Sequence, residues 1–208
     1  MATTELSALK SAINHLKDGL MNFNSKEDGS YTKEELLKCQ AFVVFSHAEV
    51  EVYLEKVSRK IMNCARKDWM DHSIYGRVTS ALVAFRRQEN VSVPEDPKIC
   101  NKNNDINKII EYSFKYQEEI ISKNNGIKRS NLAQMIFPLG IFSSDLDESL
   151  LISLDNTGSK RGDIVHKGSS VSLRNIRDPF SGELLDIINL INEISVFDQK
   201  MIELFGIY

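Results

Sequence analysis

Cysteine, proline and glycine are all scarce in this chain of 208 residues. The three Cys (Cys39, Cys64 and Cys100) are odd in number and widely spaced. They fit neither a disulfide framework nor a zinc site, and they suit a reducing compartment. Only four Pro and ten Gly punctuate the chain, which leaves long stretches without a breaker. No apolar run approaches the ~18 residues that span a bilayer. The first twenty residues carry Glu5, Lys10, Lys17 and Asp18 scattered through them, so no signal peptide is expected in this stretch. A soluble cytoplasmic protein with no membrane association is expected. A basic field is missing too: the net charge is −3, so any nucleic-acid site must be a local patch.

What is present is the composition of an ordinary globular protein, 42% apolar and 26% charged. A chain of this size can bury a core as one domain, residues 1–208. Residues 1–30 read as an N-terminal helix and turn, and 32–206 as the core. The helix at 3–23 uses Leu6, Leu9, Ile13, Leu16 and Leu20. Thr32 and Glu35 form a capping box for a long helix. Two apolar stripes on that helix, Leu37-Ala41-Val44-Ala48-Val52 and Val50-Leu54-Val57-Ile61, mark it as central and contacted from several sides. The periodicity continues, with a kink near residues 69–72, to about Gln88. A loop covers 89–104 and a helix 105–122, which Asn124-Asn125-Gly126 ends like a left-handed cap. Short helices near 130–137 and 145–154, a turn at 155–159, and a last helix opened by Asp178-Pro179 complete an all-α reading.

The segment Arg161-Gly162-Asp163-Ile164-Val165-His166-Lys167-Gly168 stands out in a chain with four His. It combines a permanent cation, an acid and a group titrating near neutrality, with Lys160 and Lys167 alongside. Those parts bind a phosphate and move a proton beside it. On a straight helix Arg161 and His166 lie roughly 140° and about 7.5 Å apart, so they do not share a face. Two copies meeting across a two-fold axis build a compact site more easily. Gly162 lowers helix stability and admits a phosphate close to the backbone. The plainer reading is a solvated basic turn. His47 and Glu51 have the i, i+4 spacing of a metal pair, but two ligands do not make a site, and a locally satisfied pair is the plainer reading. The same holds for Asp68, Asp71 and His72. No P-loop, dinucleotide fingerprint or nucleophile elbow is present. The apolar C-terminal helix reads as core, or as a dimer surface if its apolar face exceeds what one core can cover.

Three strings together resemble the HEPN superfamily, and within it the group associated with RiboL-PSP systems. They are Arg161 to Gly168, the stretch AFVVFSHAEVEVYL at 41–54 with Glu51 ahead of an aromatic-Leu pair, and NGIKRSNL at 125–132 leading to Leu139-Gly140-Ile141. The likeness spans about residues 35–205. It implies a helical bundle with a long central helix, usually a homodimer with two Arg–His motifs lining one cleft. Active members are ribonucleases of toxin–antitoxin, anti-phage and RNA-processing systems that need no metal or other cofactor.

By that resemblance Arg161 binds the scissile phosphate and His166 acts as general base or acid. Asp163 supplies the polar group near the Arg, and Glu51 supports the site. Lys160, Lys167, Arg174 and Arg177 form the patch that holds RNA. The position after the Arg, often Asn, Asp or His in active members, is Gly162 here. A non-catalytic HEPN module that binds RNA or a partner protein therefore stays open as the alternative. A helical domain that senses a nucleotide or another ligand and regulates a neighbouring enzyme is a third reading.

Overall fold

The computed structural model describes residues 2–27, 29–85, 106–167 and 177–207. Among these residues there are seven α-helices and no strand. Contacts divide the chain into two compact units. Unit 1 comprises residues 1–54, 125–132 and 144–208, and unit 2 comprises 55–124 and 133–143.

Helix α1, Thr4–Leu20, starts where Thr3 accepts a hydrogen bond from the Leu6 N–H, and it buries Leu6, Leu9 and Ile13. Helix α2, Lys33–His72, starts at the expected capping box. The Glu35 carboxylate accepts from the Thr32 N–H at 2.7 Å, and Thr32 Oγ1 accepts from the Glu35 N–H at 3.2 Å. This reciprocal pairing satisfies two of the donors that every helix start leaves open.

Only one of the two apolar stripes on α2 is covered. Val50, Leu54, Val57 and Ile61 are buried, whereas in the other stripe Leu37, Ala48 and Val52 are exposed and Ala41 and Val44 half-buried; Phe45 beside it is exposed too. The helix stops at His72 instead of bending there. Ser73 takes φ +54°, and its N–H and that of Ile74 bond back to the carbonyls of Trp69 and Asp68. The left-handed residue ends the i to i−4 ladder, so Arg77–Phe85 is a separate helix, α3.

In unit 2, α4 is Ile106–Ser122, and α3 packs on it. Helix α5, Arg129–Ile136, begins in unit 1 and ends in unit 2 with a 3₁₀ turn, Phe137–Leu139. Gly140 closes that turn at φ +81°, where a Cβ would lie 3.1 Å from Arg77 Cγ. Between α4 and α5, Gly126 has φ +140°, outside the left-handed helical region expected for a cap.

The largest departure from the sequence reading is α6, Glu148–His166. The expected turn at 155–159 lies inside this helix. Leu150, Leu154, Thr157 and Gly158 are buried at helical spacing. Gly158 is tolerated because space is short: a Cβ there would come within 2.8 Å of Lys128 Cγ.

The last helix opens as expected on Asp178. Its Oδ1 accepts from the N–H groups of Phe180 and Ser181 at 2.9 and 2.7 Å. One π-helical turn, Pro179–Leu184, precedes α7, Leu185–Phe205. Helices α1 and α6 pack against α7 in unit 1. The face of α7 carrying Ile187, Leu190, Ile194, Phe197 and Met201 is core. Asp198 is buried on that face and accepts from the Thr3 N–H and hydroxyl and from the Tyr53 hydroxyl.

Candidate active site

Because α6 is continuous, its C-terminal half presents the Arg–His segment on a regular helix. The separation of roughly 140° and about 7.5 Å between Arg161 and His166 therefore applies. Arg161 is half-buried and His166 is exposed. Among the described residues neither side chain has a hydrogen bond or an ion pair.

The cations around them are engaged. Lys160 Nζ lies 2.7 Å from Glu183 Oε2 and 2.8 Å from Asp186 Oδ2. The Arg177 guanidinium pairs with the same two carboxylates, closely with Asp186 and at 3.5 Å with Glu183. Two cations and two acids thus form a local network that joins α6 to the start of α7. Burial opposes the charge on Asp186, but Lys160 and Arg177 hold its carboxyl below the ordinary carboxylate range. Burial and the negative charge of Glu183 push the neighbouring Cys39 thiol up to about 12. Lys167 Nζ pairs with Asp163 at 2.8 Å, one helical turn apart. The expected RNA-binding side chains Lys160, Lys167 and Arg177 therefore all face acids. Arg174 lies outside the described residues.

Arg161 has a different neighbour, one that sequence spacing treated as half of a metal pair. His47 of α2 is buried, and burial together with the positive charge of Arg161 lowers its pKa to about 4. The imidazole is therefore neutral near pH 7 and adds no second charge beside the guanidinium. Its Nδ1 is 3.9 Å from Glu51 Oε2, while Glu51 Oε1 accepts a short hydrogen bond from the Gly126 N–H. Glu51 is thus tied to the segment leading into α5. The signal for a buried His47 was present in the sequence. Val43, His47, Val50 and Leu54 follow i, i+4, i+7, i+11, which is the spacing of the core face.

The depressed pKa of His47 has a consequence for stability. The native state refuses a proton that the unfolded chain accepts, so stability is full above the ordinary 6.5 and falls as pH drops toward about 4. The loss is of the order of 2–3 kcal/mol. Urea midpoints at neutral and mildly acidic pH should separate for the wild type and close up in His47→Gln. An unchanged separation in that variant would assign the acid sensitivity elsewhere.

Gly162 sits in the interior of α6, and a Cβ added there would meet nothing within 4 Å. Replacing it by Ala should stabilise the protein by about 0.5–1 kcal/mol, through helix propensity alone. A fall in the thermal midpoint of Gly162→Ala would show that the added methyl is not accommodated there.

An all-α protein whose sixth helix ends on Arg161 and His166, five residues apart, has the organisation of a HEPN domain. The family model described as RiboL-PSP-HEPN matches residues 4–202, and the chain belongs to that family. No curated protein and no solved structure matches the chain.

Proposed function

We propose that the protein is a metal-independent endoribonuclease of a toxin or anti-phage defence system, active as a homodimer in the cytoplasm. One observation carries this reading. Arg161 is a half-buried cation without an acidic partner among the described residues, on the same short stretch of helix as an unpartnered His166, while Lys160, Lys167 and Arg177 are paired. Holding a cation away from water without a counterion is costly, and a bound phosphate would offset that cost. Neutral His47 leaves the positive charge of Arg161 available.

In the proposed reaction a neutral His166 takes the proton from a ribose 2′-hydroxyl. The 2′-oxygen forms a bond to phosphorus, and the bond to the 5′-oxygen of the next nucleotide breaks. Arg161 stabilises the negative charge that builds on the phosphoryl oxygens. A protonated His166 returns a proton to the leaving 5′-oxygen. The products are a 2′,3′-cyclic phosphate and a 5′-hydroxyl.

The separation along α6 keeps one chain's Arg161 and His166 on different faces, so a second copy completes the site in this proposal. The exposed residues Leu37, Phe45 and Val52 on α2 offer apolar surface for that copy. Asp163 and Glu51 act as supporting groups. An antitoxin or another defence protein would be the regulatory partner.

RNA incubated with the protein in EDTA should be cut, and the fragments should carry cyclic phosphate ends. Intact RNA in EDTA together with cleavage on adding magnesium would overturn the mechanism. The alternative, a HEPN module that binds RNA or a protein without cutting, draws on the pairing of Lys160, Lys167 and Arg177 with acids, which leaves fewer cations for phosphates. A stable RNA complex with no cleavage, with or without a divalent ion, would favour it.

A further inference from the structure

Unit 1 carries a polar pocket between α6 and α7, about 310 Å³ in volume. Asn156 and Thr157 of α6 line one side, and Asn189 and Glu193 of α7 the other. Asp186 also lines it, with its charge already matched by Lys160 and Arg177. Arg161 follows Thr157 by four residues on the same continuous helix, about 6 Å along the axis and about 40° round it. A nucleotide whose 3′-phosphate meets Arg161 can therefore set its own base in this pocket.

Glu193 gives the pocket its chemistry. It is half-buried and makes no hydrogen bond or ion pair among the described residues. Its Oε2 is enclosed without a partner, whereas Oε1 is not enclosed. The charge is shared by the two oxygens, so a donor that reaches Oε1 compensates the whole carboxylate. Asn156 and Asn189 are exposed and have no hydrogen bond among the described residues. Each offers a carbonyl oxygen and an NH₂ group to a ligand. None of the described lining residues is a cation. The pocket thus rewards several N–H donors set beside an acceptor. A hard metal ion is served less well, because Glu193 would be its only uncompensated carboxylate.

We propose that this pocket holds the guanine base of the nucleotide whose 3′-phosphate Arg161 binds. The inference rests on the ribonuclease reading and names the base that its site selects. Guanine sets two donors, N1–H and the N2 amino group, beside the O6 acceptor on one edge of an unpaired base. Glu193 Oε1 accepts from the N2 amino group, an Asn carbonyl accepts from N1–H, and an Asn NH₂ donates to O6. Adenine and cytosine each present one amino group beside an acceptor, and uracil one N–H between two carbonyls, so each brings fewer donor groups to the carboxylate. The same carboxylate repels a phosphate, which keeps the nucleotide oriented with its phosphate at Arg161.

The test titrates the full chain with guanosine 3′-phosphate and with inosine 3′-phosphate, followed by calorimetry. The two differ only in the N2 amino group. Guanosine 3′-phosphate should bind saturably and inosine 3′-phosphate roughly tenfold more weakly. Glu193→Gln, which keeps the shape and removes the charge, should narrow that gap while the thermal transition persists. If that variant does not fold, the nucleotide pair still decides. Absence of saturable guanosine 3′-phosphate binding, equal affinity for the two nucleotides, or an undiminished preference in folded Glu193→Gln would overturn the assignment. Binding is read without catalysis, so the two readings can fail separately. A guanosine preference with RNA left uncut would keep the pocket and sink the ribonuclease. RNA cut with no preference for guanosine on the 5′ side of the break would do the reverse.

Discussion

Arg161→Ala and His166→Ala should each lower RNA cleavage by about a hundredfold to ten-thousandfold, with the fold intact. Arg161 has no hydrogen bond or ion pair among the described residues, and neither has the exposed His166, so truncating either breaks no described polar contact. The loss should therefore appear in turnover and not in the thermal midpoint. Arg161→Lys should recover little, because an ammonium is a point charge and cannot grip two phosphoryl oxygens as a guanidinium does. Mixing the two single variants tests the shared site. If one chain's Arg161 works with the partner's His166, a mixed dimer keeps one intact pair, and roughly a quarter of wild-type activity should return after subunit exchange. No recovery despite exchange would place both groups of a working pair on one chain.

Asp198→Ala should be strongly destabilising, by about 3–5 kcal/mol. The carboxylate is fully buried on α7. It accepts from the Thr3 N–H at 2.9 Å, the Thr3 hydroxyl at 2.5 Å and the Tyr53 hydroxyl at 3.0 Å. Truncation strands these donors away from water. Thr3 is also the N-cap of α1, so the start of that helix loosens with it. Burial, and then the negative charge of Asp198, raise the Tyr53 hydroxyl well above its ordinary pKa, so it stays a donor at any working pH. Tyr53→Phe removes one donor and leaves the carboxylate two others. It should cost about 1–2 kcal/mol. Urea unfolding of the two variants checks the ranking, and a cost below about 1 kcal/mol for Asp198→Ala would mean that the freed donors find other partners.

The helical class and the helix starts were legible because they depend on neighbours within one turn. Thr32 and Glu35 meet across three residues, and Asp178 reaches the N–H groups of Phe180 and Ser181 without help from elsewhere. The residues 155–159 misled for the same reason. Asp, Asn, Thr, Gly and Ser read locally as a turn, yet Leu150 and Leu154 anchor a helix through them, and Lys128 from a distant segment lies where a side chain at 158 would go. The apolar stripes on α2 were readable as stripes, but which one is covered depends on what packs there.

The sequence by itself determined the all-α class, the caps and the pairing of Arg161 with His166 on one stretch of chain, since propensity, capping and helical period are local. Tertiary structure decided the electrostatic setting of that pair. It brought Glu183 and Asp186 to Lys160 and Arg177 and left Arg161 without an acid among the described residues. It also set buried His47 close enough for the Arg161 charge to oppose protonation of its imidazole. Charges act through space and burial acts through packing, so residues far apart in the chain settle which cations are neutralised and which stay available for a phosphate.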